Sequence, residues 1–132
     1  MADNVIISRV SGTFGNHVVF SDYSNAAITA ATAKQEWIIW DHMTIVDVIA
    51  DSETANSGEA NDVLDVNING TTIYTDQDHR PFLTQSNTGL FAEALEPDIL
   101  DLFPGDVLSY DVDSIATTGS ARFKISIICR LR

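Results

Sequence analysis

The chain has 132 residues, 45% of them apolar, which is one domain by size and enough apolar surface for a real core. Nineteen acids against seven Lys and Arg give a net charge of -12, which argues against a generic nucleic-acid surface because phosphate neutralisation needs cations. A single cysteine, Cys129, forms no internal disulfide, so oxidising export is not implied and cytosolic synthesis is the default.

The opening Met1-Ala2-Asp3-Asn4 carries neither a basic region nor a long apolar run, and no stretch approaches the roughly 20 apolar residues of a spanning helix. Asn4 to Val10 reads as a strand closed by Ser11-Gly12, and His17 to Phe20 as a shorter one. From Ser21 to Ala33 the residues are small or polar without an apolar stripe, which predicts a loop with a short extended piece. Gln35 to Trp40 and Met43 to Ala50 are rich in β-branched and aromatic residues and predict two strands split by Asp41-His42. Ser52 to Asn61 reads as a polar loop.

The strongest local signal is Val63 to Thr75, two alternating runs hinged on Asn69-Gly70. Two residues of positive φ make a type I′ turn, which sets Ile68 against Thr71, Val66 against Ile73 and Leu64 against Thr75. One face is then apolar, and the other, with Asp65, Asn67 and Asn69, is expected to be wet. Asp76 to Pro81 predicts a turn and Phe82 to Thr84 a brief strand. Pro97 to Phe103 predicts one helical turn with Pro97 at its first position, stopped by Pro104-Gly105-Asp106.

Asp106 to Asp113 and Ala121 to Arg132 alternate cleanly and close the chain as strands. About eight strands with short turns and no repeat predict an all-β fold, an antiparallel β-sandwich of jelly-roll type, with residues 1–132 as a single domain. Residues 1–34 are read as able to include an extended N-terminal arm or loop.

Candidate chemistry is sparse. Asp65-x-Asn67-x-Asn69-Gly70 with Asp76 imitates the start of an EF-hand loop, but the intervening Val66 and Ile68 are strand residues and no flanking helices are expected, so a plain hairpin is preferred. Asp76-Gln77-Asp78-His79 and Asp41-His42 lack zinc spacing and read as solvated turns. Cys129 falls on an apolar strand face, where a thiol is inert. No nucleophile elbow or phosphate loop occurs, so no enzyme, catalytic residue, metal or cofactor is expected.

Two features suggest a partner surface. Trp37 and Trp40 differ in strand parity, which sends one inward and one outward, where it can stack on a sugar or anchor an interface. Four of the seven basic residues, Arg122, Lys124, Arg130 and Arg132, lie in the last eleven positions, which hold no acid. Strand period puts them on one face, where they either pair with acids such as Asp65, Asp111 and Asp113 or form a docking stripe.

The hairpin Asp65 to Thr75 with Arg80-Pro81, and Gly105-Asp106-Val107-Leu108 with Asp111-Val112-Asp113 and Ile115, resemble a β-sandwich module of tailed-bacteriophage virion proteins. Trp37 to Trp40 and Thr44-Ile45 match its aromatic strand and the strand that follows, so the resemblance spans Gln35 to Leu131. Phe82 to Ser86 replaces the Gly-rich stretch that usually follows Arg-Pro. The module occurs in head fibres, capsid decoration proteins and tail-associated proteins. It implies a non-enzymatic virion protein, made in the host cytoplasm and placed on the capsid surface. The compact chain without heptads favours a decoration (cement) protein that binds the major capsid protein as a homo-trimer. The alternative is a carbohydrate-binding or host-receptor-binding module of a tail or head fibre. Arg122, Lys124, Arg130, Arg132, Trp37 and Trp40 are its candidate partner-binding residues, with no nucleic acid or membrane involved.

Overall fold

A computed structural model describes residues 10–54, 56–57, 60–84, 91–93 and 99–132. These form β1 (Val10–Phe14), β2 (His17–Ser24), β3 (Ala31–Ile38), β4 (Met43–Thr54), β5 (Asp62–Ile68), β6 (Thr71–Thr72), β7 (Phe82–Leu83), β8 (Phe91–Glu93), β9 (Asp101–Leu102), β10 (Val107–Ser114) and β11 (Ala121–Leu131). The strand expected from Asn4 lies outside the described residues up to Val10, where β1 begins. Among the described residues no helix is long and apolar enough to cross a membrane.

Every strand pair is antiparallel, and the strands divide between two sheets. One runs β1-β2-β11-β4-β8, with β9 also on β4; the other runs β3-β10-β5-β6, with β7 also on β5. The chain crosses between sheets at each step from β2 to β5, from β7 to β8 and at each step from β9 to β11, so each sheet interleaves early and late strands. That is the jelly-roll wrap expected from the alternating runs.

Between the sheets, strand period buries one residue in two. From β11 come Phe123, Ile125, Ile127 and Cys129; from β10 come Leu108, Tyr110 and Val112; from β5 come Leu64, Val66 and Ile68. Each such side chain adds about 1.5–3 kcal/mol when fully buried. Aromatic rings bridge the two layers. Trp37 on β3 lies 5.7 Å from Phe20 on β2 and 6.4 Å from Tyr110, which in turn lies 6.3 Å from Phe123. The Tyr110 hydroxyl donates to Asp22 at 2.6 Å, and burial together with that carboxylate pushes its pKa far above the usual tyrosine value.

The hairpin is a type I′ turn, with φ of 52° at Asn69 and 82° at Gly70. Its register sets Ile68 against Thr71, and the Ile73 N–H still reaches the Val66 carbonyl at 3.0 Å. The expected third pair, Leu64 with Thr75, does not form. The Leu64 N–H bonds to the Pro81 carbonyl, and β7 takes the place beside Asp62 and Val63.

Three expectations fail for tertiary reasons. Over the described part of the expected helical turn, residues 99–103, the chain is extended: Asp101 and Leu102 pair with Thr44 and Met43, and the Ile45 N–H bonds to the Leu100 carbonyl at 2.9 Å. The open edge of β4 supplies sheet hydrogen bonds and a core slot for Leu102, which outweighs weak local helix preference. The loop expected from Ser21 to Ala33 is shorter than predicted, because β2 continues to Ser24 and β3 starts at Ala31. Between them Ile28 is buried, and its N–H donates to the Ser120 carbonyl at 2.9 Å. The polar stretch from Ser52 also begins in strand, since β4 runs to Thr54 against β11.

Candidate functional site

On β11, Arg122, Lys124 and Arg130, with Arg132 just past its end, are exposed and alternate with the buried Phe123, Ile125, Ile127 and Cys129, so the four cations share the outer face of the first sheet. Their acidic neighbours come from β4. Arg122 pairs with Glu53 at 3.1 Å, and Lys124 sits in register between Asp51 and Tyr23. At the other end Arg130 lies between Thr44 and His17, and Arg132 donates to the Thr44 hydroxyl at 3.1 Å. The expected partners Asp65, Asp111 and Asp113 are not among them, because β5 and β10 belong to the opposite sheet. Arg80 is the cation that meets that group, 2.6 Å from Asp113.

The two tryptophans separate. Trp37 is fully enclosed in the core, which removes it from the candidate surface residues. Trp40, just past the end of β3, stays 42% exposed and rests its edge on Phe20 at 5.8 Å. Beside it in the chain, His42 stacks on the exposed Phe103 with ring centroids 4.6 Å apart. The Arg132 N–H bonds to the His42 carbonyl, which ties the last cation of β11 to this aromatic end. The Nε2 atom of His42 is buried without a hydrogen-bond partner among the described residues. Exposed Trp40, two residues before His42, and exposed Phe103, stacked on His42, with Arg132 tied to the His42 carbonyl, have the make-up of a protein-docking surface.

The hairpin face expected to be wet is largely covered. Asp65 and Asn67 are each only 5% exposed. Thr72 donates to Asp65 at 2.6 Å, and Asn67 donates to Asp111 at 2.9 Å, so the residues that imitated a calcium loop are strand residues bonded across the sheet. Asp65 faces Asp111 directly, and the carboxylates of Asp65, Asp111 and Asp113 lie within 4.8 Å of one another. Burial lifts the Asp65 pKa above the usual carboxylate range; the Thr72 bond opposes this and the Asp113 charge adds to it. The spacing is one a hard cation can use, but Arg80 already holds one flank of the group.

A cleft of about 300 Å³ opens on the same outer face, lined by Thr32, Ala33, Glu36, Asn67, Ser109 and Asp111, with the hairpin tip and Val107 at one end. A bulge makes it. Gln35 pairs with Tyr110 and Ala31 with Val112, so Thr32, Ala33 and Lys34 oppose Asp111 alone. Ala33 takes a φ of 48°, and its N–H donates to Asp111 at 2.7 Å. Neither Glu36 nor Ser109 was marked by motif or spacing, since the bulge that gathers them has no glycine or proline to announce it.

Cys129 is buried, and burial pushes its thiol pKa up to about 12, as suits an inert core residue. Comparison with protein-family models, with curated proteins and with solved structures finds no match to this chain.

Proposed function

We propose that this chain is a non-enzymatic structural protein of a tailed-phage virion, a decoration protein that docks on the major capsid protein. The observation that carries the reading is the aromatic end built by Trp40, Phe103 and His42 with Arg132 beside it. Trp and Arg are the side chains that most often dominate protein interfaces, and Trp40 and Phe103 both stay largely exposed. Against the strongly acidic remainder, the cationic end of β11 is the part suited to an acidic shell. A homo-trimer is the assembly that fits a three-fold position on such a shell.

The test is co-sedimentation with capsids assembled from the major capsid protein of the same genome. Trp40→Ala combined with Arg130→Glu should abolish binding while the melting temperature of the free protein holds, and wild-type binding should weaken with salt. Full occupancy by the variant refutes the docking surface. A parent genome without capsid genes refutes the virion assignment.

A further inference from the structure

We propose that the cleft between β3 and the β10–β5 pair is a second binding site, which receives an arginine side chain of a protein partner. It goes beyond the docking end described above and does not depend on it, because the two surfaces use different residues.

Ser109 is the decisive residue. It lies outward on the central strand of its sheet between the core residues Leu108 and Tyr110, yet it is only 4% exposed. Among the described residues its hydroxyl has no hydrogen-bond partner, and it lines the cleft. Its hydroxyl opens into the cleft and is free to bond a ligand there. Glu36, across the ladder from Ser109, contributes a carboxylate that also has no partner among the described residues.

The hydrogen-bond inventory selects the ligand. The donors nearest the cleft are partly used: the Ala33 N–H and one N–H of the Asn67 amide point at Asp111, and one N–H of the Asn69 amide points at Asp106. What remains open is acceptor-rich: the Glu36 carboxylate, the Asn67 carbonyl oxygen, and the hydroxyls of Ser109 and Thr32. Glu36 and Asp111 make the lining negative, and no cation lines it. A flat guanidinium carries five N–H donors and no acceptor, so it satisfies such a set with one group, while its stem lies along Val107 and Gly70. A saccharide hydroxyl carries no charge, so it gains less from the Glu36 and Asp111 carboxylates than a cation does. A metal ion would need its oxygens converged, and Glu36 stands outside the group of three carboxylates that converge.

Nuclear magnetic resonance titration of the full-length protein tests the assignment, with the tripeptide Gly-Arg-Gly-amide as probe. Gly-Lys-Gly-amide and methyl glucoside serve as comparisons. The arginine peptide should saturably shift the Ser109 and Gly70 amides and the Asn67 side-chain amide. Glu36→Gln should weaken it by about tenfold, as loss of a charge-assisted bond does. Ser109→Ala should weaken it severalfold, with unchanged melting temperature showing that the fold is intact. If Ser109→Ala unfolds, Thr32→Ala on the exposed rim replaces it, with the same expected direction. Trp40→Ala should leave peptide binding as it was, which separates this site from the docking end. Equal binding of the lysine peptide, shifts caused by the glucoside in place of the arginine peptide, or no shift at the cleft would each overturn the proposal.

Discussion

Asp65 on β5 and Asp111 on β10 face each other across the ladder, two carboxylates in direct register with Asp113 beside them and Arg80 on Asp113 alone. Like charges opposite one another work against strand pairing, and here Thr72, Asn67 and the Ala33 N–H hold them by hydrogen bonds. The sheet carries this charge at a cost, and pH reveals it.

Because burial raises the Asp65 pKa in the folded state, its ionised form is disfavoured there relative to the unfolded chain. Its contribution to stability is therefore fully present when pH lies below the ordinary carboxylate value and is lost as pH rises through the raised one. Asp65→Asn keeps an oxygen for the Thr72 hydroxyl and removes the charge. The variant should melt higher than wild type at about pH 7, and the difference should shrink toward about pH 4. A melting difference that is constant across that range would show that the charge is not what destabilises the site.

Gly70 has a φ of 82° and open space where a Cβ would sit, so a substitution there meets backbone strain without a clash. Gly70→Val should cost about 1–3 kcal/mol, through a branched residue in the left-handed region. Gly70→Asn should cost much less. Urea unfolding of the two variants checks this, and equal midpoints would mean that conformation is not the issue at this turn.

Asp62 is fully buried at the start of β5 and accepts three hydrogen bonds, from the Ala116 N–H at 2.9 Å, the Ser120 N–H at 2.9 Å and the Ser120 hydroxyl at 2.6 Å. It clamps the β10–β11 connection onto the second sheet. Asp62→Ala strands those donors and should lower stability by about 3 kcal/mol or more, read from the denaturant midpoint. The same connection passes Gly119 so close to Ile28 that an added Cβ would overlap the Ile28 carbonyl oxygen. Gly119→Ala should therefore destabilise despite its small size, and a neutral result would place this loop farther from Ile28.

Cys129 should resist a thiol reagent such as dithionitrobenzoate at about pH 8 and react at the rate of unfolding, because the thiolate is scarce and the sulfur is enclosed. Fast labelling of native protein would show that the face between β2 and β4 opens.

What the sequence determined by itself is local: the Asn69-Gly70 turn, because two positive-φ residues in succession admit few alternatives, and the long alternation of β10 and β11, which divides core from surface residue by residue. It also placed all four cations of β11 on one face. Their partners were decided elsewhere. Which strands flank β11 depends on the order of strands in the sheet, and that order put Glu53 and Asp51 beside the cations and left Asp65, Asp111 and Asp113 to Arg80. Residues 99–103 became extended because the edge of β4 offered them hydrogen bonds and a place for Leu102 that no neighbour in sequence could offer. The cleft arose in the same way. Three residues of β3 opposing one of β10 is a property of two strands together, so the bulge at Ala33, and the joining of Glu36 to Ser109 beside it, exist only once the sheet has formed.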